Sequence, residues 1–215
     1  MPSDSLERSR EVLDVVEQYL RRERPLSALV VVLAVSAFVG TYLVTSLLPA
    51  AVVGVGLAVV ARAPVLRSEG TVRLRTDEDP EAVVDEFTGA TPPVLALQWG
   101  VADEITTDDG VATYSVSYLF GLQSADVVVH TRTDTAPNGD RLVESEVSIN
   151  DRPWATYRST VSDTDGHTVV EVEYTSNRRF GLRRVPQQRV AHRYRDDALE
   201  AQGYSVVERD THFGL

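Results

Sequence analysis

The side chains that could do chemistry in this 215-residue chain are carboxylates, tyrosines and arginines. Cysteine is absent, which removes disulfides, thiolate metal sites and cysteine nucleophiles. The four histidines, His130, His167, His192 and His212, stand 37, 25 and 20 residues apart. None has the HxH or HxxxH spacing that would bring two imidazoles to one ion, so no metal is expected. Glu144 and Glu146, like Glu171 and Glu173, lie two apart on strand-like segments and would share a face. Such carboxylates could make an acid/base pair. Alternation, however, sets both pairs opposite the apolar positions, facing water. No GxSxG, glycine-rich phosphate loop or supported DxD motif is present, so no catalytic residue and no cofactor is assigned.

The cationic groups are all arginine, 21 of them against 32 acids, and lysine does not occur. Proteins of salt-accumulating archaea carry this bias, so the chain reads as one from a halophilic archaeon whose −11 charge holds water in concentrated salt. The charge is unevenly spread. Residues 64–177 have 21 acids and seven arginines, whereas 178–195 have seven arginines and no acid. This island, Arg178, Arg179, Arg183, Arg184, Arg189, Arg193 and Arg195, could meet anionic lipid headgroups or a partner, or pair with the domain's own acids. Nucleic acid is not an expected partner, because the net charge repels it.

From Pro25 to Ala61 the chain has 37 consecutive uncharged residues. As one helix they would reach about 55 Å, well beyond a hydrocarbon core of about 30 Å. Two spans, near Leu26–Val44 and Pro49–Val65 with Thr45–Leu48 as the turn, are therefore expected, Pro49 suiting a first helical turn. Arginines flank the pair outside and none lies in the turn, which predicts a multi-pass protein of the cell membrane, in contact with the lipid bilayer, with both termini cytoplasmic. Before it, residues 1–24 form an amphipathic helix with Leu6, Leu13, Val16 and Leu20 on one stripe. That stripe suits the membrane surface, a second copy in a homo-oligomer, or the chain's own domain.

After residue 66 the pattern alternates. Val72 and Leu74 mark a strand, and Asp79-Pro80-Glu81 opens a short helix with a cap, a first-turn proline and an acid. Strands then follow turn signals at Thr107–Gly110, Ala136–Asp140, Asn150–Pro153 and Asp163–Gly166. A long helix near Val185–Gln202 stops at Gly203, and Tyr204–Arg209 reads as a final strand. The fold class expected is α+β: the amphipathic helix, the transmembrane hairpin over 25–66, and over 67–215 a mostly antiparallel sheet of about six or seven strands packed on the C-terminal helix.

This order, with Asp79-Pro80-Glu81-Ala82-Val83-Val84 at the first helix, resembles the START-like superfamily of helix-grip domains, which includes polyketide cyclases and lipid-transfer domains. The resemblance covers roughly 70–203. Its second short helix is barely marked, around Pro92–Leu97, and the strand after Gly203 is additional. What it implies is an apolar ligand held between sheet and C-terminal helix, with Tyr114, Tyr118, Tyr157, Tyr174 and Tyr194 as matching side chains. The function expected is thus a membrane-tethered cytoplasmic domain, not evidently catalytic, that binds a lipid or other apolar small molecule. The alternatives are a membrane-anchored interaction or assembly protein with a filled core and, third, a cyclase or hydrolase.

Overall fold

The computed structural model describes the backbone of residues 2–63, 67–108, 110–118, 123–164, 166–179 and 185–214. Side chains are described over the same residues apart from 2–9, 23–28, 30–31, 60–62, 118, 185–190, 192 and 213–214.

Eight strands form one antiparallel sheet in the order β2-β3-β4-β5-β6-β7-β1-β8. They are β1 (Arg67–Thr76), β2 (Glu104–Asp108), β3 (Val111–Tyr118), β4 (Gln123–Thr135), β5 (Arg141–Ile149), β6 (Arg152–Thr164), β7 (His167–Ser176) and β8 (Ser205–Gly214). The helices are α1 (Pro2–Val44), α2 (Leu47–Arg62), α3 (Pro80–Thr88), α4 (Ala96–Trp99) and α5 (Val185–Glu200), with a 3₁₀ turn at Pro93–Leu95 before α4. Strands β2 to β7 are a meander of hairpins, and β1 closes on β7 while taking β8 on its other side. Local chemistry explains the turns. Asn150 and Asp151 link β5 to β6 with φ of 48° and 60°, the pair of positive values that a tight hairpin demands and that short polar side chains tolerate. Gly203 ends α5 at φ 89°, its N–H donating to the Glu200 carbonyl. Asp79 caps α3 by accepting from the Glu81 N–H at 3.4 Å, and Pro80 gives up nothing there, because a first-turn N–H has no helical partner.

Period two sends one side of each strand inward. Val72 and Leu74 of β1, Val170 and Val172 of β7, and Val143 and Val161 meet Val83, Val84 and Phe87 of α3 and Leu199 of α5 in one cluster. A second cluster joins Ala112, Tyr114, Val127, Val129 and Val147 to Leu95, Ala96 and Trp99, to Ala198, and to Val12 and Val16 of α1. Of the stripe on the first helix, Val16 is buried by the chain's own domain together with Val12 beside it, whereas Leu13 stands exposed. Each of those fully buried valines contributes on the order of 1.5–3 kcal/mol.

The uncharged run departs from the expected hairpin of membrane spans. Its first part is the end of α1, a 43-residue helix that begins at Pro2 and runs unbroken through the charged residues up to Arg24. Its second part is α2, whose 16 residues reach only about 24 Å, short of a hydrocarbon core of about 30 Å. Among the described residues no helix is long and apolar enough to cross a membrane. The two-span transmembrane hairpin and the multi-pass membrane localisation built on it are therefore corrected, and the sheet has eight strands where six or seven were expected. Helices α1 and α2 do pack on each other. Ala50 is fully buried, and a Cβ on Gly54 would lie 3.1 Å from the Phe38 ring, so a small residue sets their approach. Pro49 sits in the first turn of α2, after Ser46 as cap residue. Leu33, Leu43, Val44, Leu47, Leu48 and Val52 stand exposed on these two helices.

Candidate functional site

A cleft lies between the inner face of the sheet and α5. Its floor is Val72, Val172, Tyr157 and Tyr174, its roof Arg195 and Leu199, one wall Pro93, Val94, Ala96 and Leu97, and its far end Arg209 of β8. Register explains the floor. On the inner face Ser159, Val172, Val72 and Arg209 form one cross-strand row, and Tyr157, Tyr174, Gly70 and Thr211 form the next. Tyr157 and Tyr174 are direct partners on β6 and β7, so their rings stack with centroids 6.3 Å apart at 29°. Tyr174 then reaches past Gly70 and donates its hydroxyl to Thr211 Oγ1 at 3.2 Å. Gly70 has no side chain to obstruct it, whereas a Cβ there would lie 3.1 Å from the Tyr174 ring.

The polar groups lining the cleft are two tyrosine hydroxyls and two guanidinium groups. Burial pushes the Tyr157 phenol above its ordinary value, while the nearby Arg195 guanidinium and a hydrogen bond with Gln98 pull it partly back. It therefore stays protonated at neutral pH. Arg209 donates to Asp196 of α5, an ion pair that ties the last strand to the helix. Its Nε is buried without a hydrogen-bond partner. An unsatisfied buried donor costs about 1–3 kcal/mol. Among the described residues no carboxylate or imidazole lines the cleft.

The volume of the cleft is about 30 Å³. That is room for about two water molecules, far below the ~300–1,000 Å³ of a pocket that swallows a drug-sized ligand.

The five tyrosines singled out from the sequence are dispersed. Tyr157 and Tyr174 line the cleft. Tyr114 is fully buried in the other core cluster, donates to the Ala90 carbonyl at 3.0 Å, and has its ionisation pushed up by burial. Tyr194 is buried edge-on against Tyr19 of α1, with centroids 5.7 Å apart. The Tyr118 side chain lies outside the described residues. The arginine island divides as well. Arg195 enters the cleft, Arg193 is exposed, Arg178 lies over the Trp154 ring at 5.6 Å, and Arg179 is exposed. Arg183, Arg184 and the Arg189 side chain lie outside the described residues. Sequence reasoning missed Arg209, Leu97 and Leu199. Arg209 belonged to a strand read as an addition, and only the pairing of Val72 with Arg209 puts it on the inner face.

The glutamate pairs stand on the outer face. Glu144 accepts from Arg158 Nε at 3.0 Å, and Glu146, Glu171 and Glu173 are exposed. Among the described residues no group of histidines and carboxylates could hold a metal ion.

The element order that the START-like resemblance implies is present from β1 through α5, and the barely marked second helix is real, as the 3₁₀ turn and α4. No protein-family model matches the chain, and no curated protein matches it. Solved structures are similar at a low level. A protein from Rhizobium loti aligns at 18% identity and TM-score 0.42, covering 64% of this chain and 96% of that one. A conserved protein from Geobacillus kaustophilus aligns at 10% identity and TM-score 0.40, over 68% and 99%. A START superfamily protein from Mycobacterium smegmatis aligns at 15% identity and TM-score 0.37, over 64% and 97%. Likenesses this low assign no function.

Proposed function

We propose that the domain is a non-catalytic binding module that seats a small, partly apolar molecule in the cleft between the sheet and α5. The observation that carries this reading is the lining itself. Apolar side chains from the sheet, the wall turn and α5 converge on one opening with two tyrosines and two arginines, and among the described residues no general base stands with them. Such a set of walls with a few placed polar groups is how proteins bind small molecules. The test is native mass spectrometry of the full chain, with Leu199→Trp filling the cleft. A bound species in the unaltered chain that is absent from the variant is the expected result. A chain that carries nothing, and that takes up no added medium-chain alcohol in calorimetry, would sink the reading.

One observation favours a second reading. A volume of about 30 Å³ leaves this cleft close to filled. A filled domain that recognises another protein is then the alternative, and an empty native mass together with a protein retained at fixed stoichiometry through purification would favour it.

A further inference from the structure

The two arginines of the cleft come from unrelated parts of the chain, Arg195 from the middle of α5 and Arg209 from the added last strand. Their charges are not balanced locally. Asp196 pairs with Arg209, and among the described residues no carboxylate pairs with Arg195. Among the described residues the lining contains no acid. The cleft therefore holds two guanidinium groups against one adjacent carboxylate, inside a domain whose surface is strongly acidic. Such an inward placement of positive charge has no use in solubility. Arg209 Nε is a buried donor with no hydrogen-bond partner, and Tyr157 lines the same cleft.

Size points the same way. Room for about two waters is too little for the body of a lipid but suits the two oxygens of a carboxylate, or part of a phosphate, with the apolar remainder lying along the open mouth at Val94 and Leu97. A planar guanidinium fork matches such oxygens in pairs, which an ammonium group does not.

We infer that the cleft is an anion seat, in which Arg195 and Arg209 hold the carboxylate-like head of a small amphiphile while its apolar part rests on the cleft wall. This rests on the binding reading above and goes further by naming the charge of the ligand. The anionic group could belong to a free organic acid or to a phosphate ester, and the test separates them.

The experiment is isothermal calorimetry on the full chain with three probes of equal tail, sodium octanoate, octyl phosphate and octan-1-ol. At least one anion is expected to bind about tenfold more tightly than the alcohol, the size of one charge-assisted contact. Octanoate leading identifies an organic acid, and octyl phosphate leading identifies a phosphate ester. In Arg195→Gln the preference should fall to within about threefold while alcohol binding persists, and Arg195→Lys should retain part of it. Near-UV circular dichroism verifies that both variants keep the native core. Equal binding of anion and alcohol by the unaltered chain overturns the anion seat and leaves the binding module standing. A preference undiminished in Arg195→Gln also overturns it. No binding of any probe defeats both readings.

Discussion

Gly70 is the position at which a single added carbon should disturb the cleft and little else. A Cβ there would stand 2.2 Å from the Asp210 carbonyl oxygen, 3.0 Å from Thr211 Cα and 3.1 Å from the Tyr174 ring. The first two are backbone of the neighbouring strand, so no side-chain rotation relieves them, and Gly70→Ala must push β8 away from β1 or lift Tyr174 off its contact with Thr211. Overpacking of this kind costs about 1–3 kcal/mol. For a domain of this size that lowers the melting temperature by about 3–10 °C. Hydrogen exchange with a thermal melt is the assay. Exchange should rise in β8 and in the β1 amides facing it, while β4, β5 and β6, on the far side of the sheet, keep their protection. Thr211→Val is the control, because it removes the hydroxyl that accepts from Tyr174, for about 0.5–1.5 kcal/mol, without touching the strand spacing. A Gly70→Ala protein that melts within a degree of the original and leaves β8 equally protected would refute the account of the β1–β8 pairing, and with it the placement of Arg209.

Two further outcomes follow from burial. Tyr114 and Tyr157 both have folded-state ionisation above the ordinary tyrosine value of 10.0, so the unfolded chain loses those protons first. Stability should be fully present below pH 10 and fall as pH rises above it, Tyr114 contributing up to about 1.4 kcal/mol per pH unit. Urea midpoints from pH 8.5 to 11.5 measure this. Tyr114→Phe, though less stable at pH 8 for want of its bond to Ala90, should show a shallower alkaline limb, and an identical slope would contradict the assignment. The other concerns Gly100, where an added Cβ would lie 2.7 Å from both Val16 Cγ2 and the Ala96 carbonyl. Gly100→Ala should lower stability by about 1–3 kcal/mol and speed exchange around Val12 and Val16, and unchanged exchange there would mean that α1 does not dock through this contact.

How much of this was legible in the sequence depends on the range of the interaction that decides each feature. Asp79-Pro80-Glu81 marked α3, Asn150-Asp151 marked a hairpin and Gly203 marked the end of α5, because caps and turns are settled within a few residues. Alternation put Val72, Leu74, Val170 and Val172 inside for the same reason. Tyr114, Tyr157, Tyr174 and Tyr194 looked alike at that range. What separates them is which helix covers each one, and the first helix, whose stripe left three destinations open, covers Tyr194 with Tyr19 and buries Val12 and Val16 beside α4. The long uncharged run misled for a related reason. Composition measures how apolar a segment is, but not where its helices begin and end, and α1 starts at Pro2 rather than at the edge of the run.

The last strand shows the same limit from the other side. Read alone, Tyr204–Arg209 is a short polar addition to a complete fold, and an arginine in it is a surface residue by default. Paired with β1, it becomes the neighbour of Val72, and the same alternation that turns Val72 inward turns Arg209 inward too. An arginine in that position needs a partner. Asp196, on the exposed-looking stretch of α5, is that partner for one nitrogen, and Nε is left over. The cleft is therefore defined less by the tyrosines that a family resemblance suggests than by a strand outside the resemblance. The residue most worth changing in this protein is one that neither composition nor motif distinguishes from the other 20 arginines.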